Sequence, residues 1–306
     1  MDLEKLIRLM KPLMISGVLS ARKNSADRLA EKLEQLDFVT RSVTQTNKET
    51  IIELQILDPE LLHRLLAGEA NKFLLASRVS HERSKQVQSE NVSWQAVEHY
   101  YAAYYGVHYL LRLTGVSITN LDQNSVRCIE RSCLSGPVVV PKGLYVMFFD
   151  SSSNILILKK NTSKTGGSHI EAWQLWMELI EKICLEANSD IDEYARLSIE
   201  LLEHKSFLIR STGQFNPPSI RGEINYQFKG GVWIFERNSK DTINRLKRSI
   251  GATDSAALNI NPTPDGLVDN NKIIINLARR VFIYASESYP KSICRAIAHK
   301  YSDYVY

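Results

Sequence analysis

Apolar positions along the chain change their period several times, and each change marks an element. In the run SWQAVEHYYAAYYGVHYLLRL, residues 93–113, apolar or aromatic side chains fall on every side of a helical wheel. A helix that is apolar all round is a buried one. Five of the thirteen tyrosines lie within 100–109. Ala102, Ala103 and Gly106 are small enough to let neighbouring helices approach, and only Glu98, His99, His108 and Arg112 interrupt the apolar surface. Gly115 supplies the stop, since helices commonly end on a residue with positive φ. This stretch reads as the central helix of a bundle.

The rest of the chain is punctuated around it. Residues 1–20 read as one or two short helices limited by Pro12, and a further helix is predicted over 25–36. FVTRSVTQ, TNKE and TIIELQIL then read as strand, turn and strand. Asp58-Pro59 places a capping side chain before a proline at the first helical position. That helix is expected to stop near Gly68, with a second one over about 70–87. GPVVVP, GLYVMFF and NILILKK are short and rich in Val, Ile, Leu and Phe, which predicts a small antiparallel sheet over 138–160. KNTSKTGGS follows as a loop. Ser168 and Glu171 have capping-box spacing at the head of another helix, and Asp190 or Ser189 caps the next. Pro217-Pro218 breaks the chain, SIRGEINYQF restarts it, and Gly230-Gly231 ends that element. Helices are expected over 242–250, over 270–288 and after Pro290. The fold class is therefore mainly α: a helical bundle over 71–236 with a small antiparallel β insertion, an N-terminal α+β unit over 1–70, and C-terminal helices over 237–306 packing on the bundle.

Composition narrows the classes of function. Apolar residues make up 44% and charged residues 24% of 306 positions, as in an ordinary globular chain. A formal charge of +4 permits a nucleic-acid or acidic partner without requiring one. Cys128, Cys133, Cys184 and Cys294 are too few and too scattered for a disulfide framework, which fits reduced thiols and a cytoplasmic location. Charged residues interrupt the first apolar run, unlike a secretory signal, and no run approaches a membrane span.

One pattern resembles a known family. AVEHYYAAYYGVHYLLRLTG is similar to the tyrosine- and alanine-rich helix of HEPN domains (higher eukaryote and prokaryote nucleotide-binding). In that resemblance a Tyr-Tyr-Ala helix ends at glycine, a second helix carries a histidine near its start, and an arginine then precedes a tyrosine or histidine. Here these features are Tyr100-Tyr101-Ala102, His169 in GGSHIEAWQLW, and Arg221 with Tyr226 in SIRGEINYQF. The likeness spans about residues 90–235 and implies a HEPN-like bundle. It also implies a component of a prokaryotic conflict system (phage defence or toxin–antitoxin) that binds RNA, a nucleotide or a protein partner, or dimerises, as a non-catalytic or accessory subunit. Its alternative is a metal-independent ribonuclease using Arg221 and His169, with Tyr226 as the third site residue. HEPN nucleases are associated with arginine followed after a short gap by histidine, the first stabilising phosphate charge and the second moving a proton. Tyr226 stands where that histidine is expected, and tyrosine in isolation titrates near ~10, which suits it poorly to proton transfer at neutral pH.

Other candidates are weaker in pattern. Arg295 and His299 sit one helical turn apart and could hold phosphate, or could form a solvated helix face. Arg279 and Arg280, with Arg245, Lys247 and Arg248, form the densest basic region, again either a nucleic-acid contact or a solvated face. His169 could help bind an anion at its helix start or simply cap it. Arg221 could pair with Glu223 or Glu200, or hold a phosphate. Tyr104, Tyr105 and Tyr109 could stack on bases or pack in the core. No cofactor is implied: the chain has no zinc spacing around Cys128 and Cys133, no phosphate loop ending in Gly-Lys-Ser/Thr, and no nucleophile elbow.

Overall fold

A computed structural model describes residues 1–22, 33–86, 92–134, 136–161, 167–210, 212–252 and 258–305. Most of the helix expected over 25–36, and of the loop after 161, lies outside them. The chain is mainly helical and carries one five-stranded antiparallel sheet. In order, its elements are α1 (Leu3–Met10), α2 (Ser16–Leu19), β1 (Phe38–Gln45), β2 (Glu49–Ile56), α3 (Pro59–Lys85), α4 (Ser93–Leu113), β3 (Val116–Leu121), α5 (Gln123–Arg131), β4 (Gly143–Asp150) and β5 (Ile155–Asn161). There follow α6 (Ser168–Ala187), α7 (Ile191–Leu208), α8 (Asn216–Gln227), α9 (Ser239–Gly251), α10 (Pro264–Ser288), α11 (Ile293–Lys300) and α12 (Ser302–Val305). Among the described residues no helix is long and apolar enough to cross a membrane.

The tyrosine-rich run is the central helix, α4, and every residue from 106 to 113 is buried. Helix α3 packs antiparallel along it. The pairs step from Glu69–Arg112 through Phe73–His108 and Ser77–Ala102 to Arg83–Glu98. Helix α10 covers another side. A Cβ on Gly106 would lie 3.2 Å from Ile274 Cγ2, so glycine sets how closely α4 and α10 approach. Gly115 ends the helix at φ +76°, and a Cβ there would stand 2.6 Å from the Phe149 carbonyl oxygen. Both the backbone angle and the space demand glycine.

Several local expectations change in context. The helix that begins at Asp58-Pro59 does not stop at Gly68 but runs 27 residues to Lys85. Gly68 is buried inside it, and the packing against α4 outweighs the roughly 1 kcal/mol helical disadvantage of glycine. GPVVVP is not a strand: residues 137–142 are irregular, with Val140 N–H donating to Glu130 Oε1 rather than to a neighbouring strand. The pattern singles out neither β3 nor α5. Strand β3 pairs with β4 from Val116–Phe148 to Leu121–Gly143, and α5 touches both edge strands, β1 and β3.

The sheet order is β1-β2-β5-β4-β3. The hairpin of the first 56 residues thus joins the later strands through β2–β5 pairing, from Glu49–Asn161 to Gln55–Ile155. Ile52, Leu54, Tyr145, Met147, Leu156 and Leu158 form its buried face, an alternation set by the two-residue period of strands.

Tyr109 shows how complete the burial of α4 is at its C-terminal half. It is fully buried against Phe282, and its hydroxyl has no hydrogen-bond partner. A buried unsatisfied hydroxyl costs about 1 kcal/mol or more. Tyr109→Phe is therefore expected to raise stability by roughly 1 kcal/mol, read as a higher thermal unfolding midpoint. A lower midpoint would show that the hydroxyl makes a bond in solution.

Candidate functional site

Three helices bring the motif residues to one place. Helix α4 contributes Tyr100, Tyr101 and Tyr104; the start of α6 contributes Ser168, His169 and Trp173; α8 contributes Arg221 and Tyr226. Each start is locally encoded. Pro217 and Pro218 supply fixed φ angles in the first turn of α8. Gly167 caps α6 without a side-chain bond, so the expected Ser168–Glu171 capping box does not form. Ser168 sits inside the first turn, where its hydroxyl accepts from Tyr104 OH at 3.3 Å.

Arg221 Nη2 donates to Tyr101 OH at 2.6 Å. Its guanidinium carbon lies 5.1 Å from the Tyr226 ring centroid, 5.4 Å from that of Tyr101 and 6.0 Å from that of Tyr100. Three electron-rich rings thus surround one cation. Arg221 Nε–H is buried with no acceptor. The expected carboxylate partners are engaged elsewhere: Glu223 pairs with Arg210 at 2.9 Å, and Glu200 with Arg196 and the N-terminal amine of Met1. Among the described residues Arg221 has no carboxylate of its own. Burial works against its charge, and the Tyr101 bond and the surrounding phenols more than offset that, leaving its pKa raised.

His169 stacks on Tyr104 at 4.3 Å and meets the edge of Tyr101 at 6.0 Å. Burial, and then the nearby Arg221 charge, hold its pKa below the usual imidazole value, so the ring is neutral at pH 7. Trp173 Nε1 donates to Tyr100 OH at 3.1 Å, and the same hydroxyl lies 2.9 Å from His169 Nδ1. With the Tyr100 oxygen accepting from Trp173, its own hydrogen is free to donate to Nδ1, which places the imidazole proton on Nε2. Burial drives the Tyr100 and Tyr104 pKa values up, so both phenols stay protonated.

The site is tied to a buried ion pair behind it. Tyr104 meets His108 edge-on at 4.6 Å, and His108 stacks on Phe73 at 4.7 Å. Arg112 lies over Phe73, lies 3.1 Å from His108 Nδ1 and donates through Nε to Glu69 Oε2 at 2.8 Å. The orientation of His169 therefore depends on packing that runs back to Glu69.

Arg221, His169, Tyr226 and the Tyr100-Tyr101 pair, which the sequence resemblance groups, thus lie together. The other candidates do not join them. Arg279 and Arg280 lie on α10, and Arg295 and His299 on α11, whereas the contacts of Arg221 and His169 are all with α4, α6 and α8. Arg280 and His299 are exposed, while Arg279 and Arg295 are half-buried. Tyr109 belongs to the core, and Tyr105 is half-buried beside Tyr101. The sequence reading misses Trp173, whose place one helical turn after His169 is the available signal, and takes Ser168 only as a cap. No group of His, Cys, Asp or Glu able to hold a metal ion occurs among the described residues. Comparison of the chain with protein-family models, with curated proteins and with solved structures finds no match.

Proposed function

We propose that the cluster formed by Arg221, Tyr101, Tyr226 and His169 binds a phosphate of RNA or of a nucleotide. In this reading the chain is a HEPN-like accessory component of a prokaryotic conflict system, phage defence or toxin–antitoxin. It acts in the cytoplasm and docks on a protein partner or on a second copy of itself. The observation that carries the phosphate reading is Arg221: a half-buried guanidinium with spare donors and no carboxylate, framed by aromatic rings. Such a group ordinarily finds an anion, and a phosphate matches its planar donors. The assembly of Tyr100-Tyr101, His169 and Arg221 into one cluster of contacting side chains supports the HEPN-like reading.

A second reading, metal-independent RNA cleavage, rests on His169. In the other tautomer, with Nδ1–H donating to the Tyr100 oxygen, His169 offers an unprotonated Nε2 beside a guanidinium, the pairing needed to take a proton from a ribose hydroxyl while charge grows on the phosphate. The two readings separate experimentally. A labelled RNA oligonucleotide is titrated with wild type, Arg221→Ala and His169→Ala in EDTA, and each mixture is examined for cleavage. Loss of one charge-assisted contact worth about 1.5–3 kcal/mol is expected to weaken binding by Arg221→Ala roughly tenfold to a hundredfold. Under the binding reading RNA stays intact in every sample; under the second, wild type cleaves and His169→Ala does not. Equal affinity of wild type and Arg221→Ala would contradict both.

A further inference from the structure

The densest exposed aromatic surface lies at the end of α8, in the segment YQFKGGVWIFER. Trp233 is its centre and is 7% exposed. Three rings surround it: Trp94 from the first turn of α4 at 6.0 Å, Phe228 at 5.4 Å, and Phe235, stacked, at 5.5 Å. These three are 55%, 53% and 67% exposed, and Ile234 beside them is 60% exposed. Monomeric proteins seldom leave so many large apolar side chains together in water without a use for them.

The surface is built rather than loose. Trp233 Nε1 donates to the Ile224 carbonyl at 2.9 Å. The Glu236 carboxylate accepts from the backbone N–H of Gly231 at 2.9 Å and of Trp233 at 2.8 Å. Phe228 caps α8 in the left-handed region at φ 51°, a conformation that costs a bulky residue about 1–3 kcal/mol. Its ring is thereby held next to Trp233.

Charge indicates the occupant. Lys229, Arg237 and Lys240 are exposed and form no ion pair among the described residues, while the carboxylate of Glu236 is turned to the backbone. The platform also adjoins the Arg221 cluster. Trp94 and Tyr101 are seven residues apart on one face of α4, about 10 Å along the helix axis. Tyr226, beside Arg221, lies two residues before Phe228.

We infer that the Trp94–Phe228–Phe235 platform stacks the bases of a single-stranded nucleic acid whose backbone phosphate binds at the Arg221 cluster. This rests on the phosphate reading of that cluster and adds to it the class of ligand: single-stranded, held by base faces and not by base edges. A cationic track with aromatic faces is the arrangement that binds single strands with little sequence preference.

The test measures binding of fluorescein-labelled oligoadenylate and oligouridylate, single-stranded and as duplexes, by wild type, Trp94→Ala, Phe235→Ala, the double variant Lys229→Gln/Arg237→Gln, and Arg221→Ala. The aromatic substitutions are at exposed positions, and an unchanged thermal midpoint verifies the fold. Wild type is expected to bind single strands over duplex, and adenylate over uridylate because purines stack better. Each aromatic variant is expected to bind about tenfold more weakly, the size of one lost base stack, and to lose the purine preference. The lysine–arginine variant should show a shallower salt dependence. Aromatic variants that bind like wild type, while Arg221→Ala has lost affinity, would overturn the platform and leave the phosphate reading standing. Loss of a bound protein partner by the aromatic variants, with oligonucleotide binding intact, would overturn it in favour of a protein-docking face. Failure of wild type to bind either oligonucleotide would overturn both.

Discussion

Glu69→Ala is expected to destabilise the protein by about 3–5 kcal/mol, a large fraction of a typical stability of 5–15 kcal/mol. Arg112 is 2% exposed and Glu69 9%. The 2.8 Å bond between them joins two charges that have both left water. Removing the carboxylate leaves the guanidinium buried and uncompensated, which is worse than having neither group. The double variant Glu69→Leu/Arg112→Met is therefore expected to regain most of the lost stability, since it removes both charges and keeps the volume. Urea denaturation of the single and double variants checks this. The ion pair also positions Phe73, His108 and Tyr104 behind His169, so the double variant should recover stability before it recovers ligand affinity. A Glu69→Ala protein as stable as wild type would show that Arg112 finds another anion or reaches water.

The second large effect is loss of stability in acid. Four histidines, three of them buried and His81 half-buried, are held neutral. Burial lowers the pKa of His204 to about 4, of His99 to about 3 and of His81 to about 2, and pushes that of His108 well below the usual value. His204 is held from both sides, accepting from Trp176 Nε1 at 3.0 Å and bonding Asn270 Oδ1 at 2.9 Å. His99 has no bond to either nitrogen, and Lys272 and Lys85 further oppose its protonation. All four shifts are downward, so the unfolded chain binds protons near pH 6.5 while the native chain does not. Stability is present above that pH and falls as the pH drops toward the native values. At pH 5 His204, His99 and His81 each remove about 2 kcal/mol, together about 6 kcal/mol, and His108 acts in the same direction. Unfolding by circular dichroism is expected between about pH 5 and 4. His99→Leu loses no hydrogen bond and should move that midpoint to lower pH. A protein fully folded at pH 3.5 would contradict the neutral state of these rings.

What was legible in the sequence was local. Asp58, Asp190 and Gly115 mark helix ends through bonds and backbone angles within a few residues, and they do so in the structure. The pairing of β2 with β5 joins residues about a hundred positions apart and left no local trace. Gly68 misled because a weak helix former yields to the packing of α3 on α4. The site divides in the same way. Arg221, His169 and the paired tyrosines were visible as an ordered motif, but the lack of a carboxylate on Arg221 was not. Glu223 and Glu200 were reasonable partners until Arg210, Arg196 and the N-terminal amine claimed them in three dimensions. The all-round apolar pattern of α4 also concealed its exposed edge. Trp94, Tyr101 and Tyr105 share one face at helical spacing and are not fully buried. That unsealed face, and not the sealed core, carries the proposed site.

The most direct measurement is a crystal structure of the wild-type protein with a short single-stranded RNA bound. A backbone phosphate is expected within hydrogen-bond distance of the Arg221 guanidinium, beside Tyr101, Tyr226 and His169. A strand bound instead along Arg279 and Arg280, or at Arg295 and His299, with no phosphate at Arg221, would contradict it.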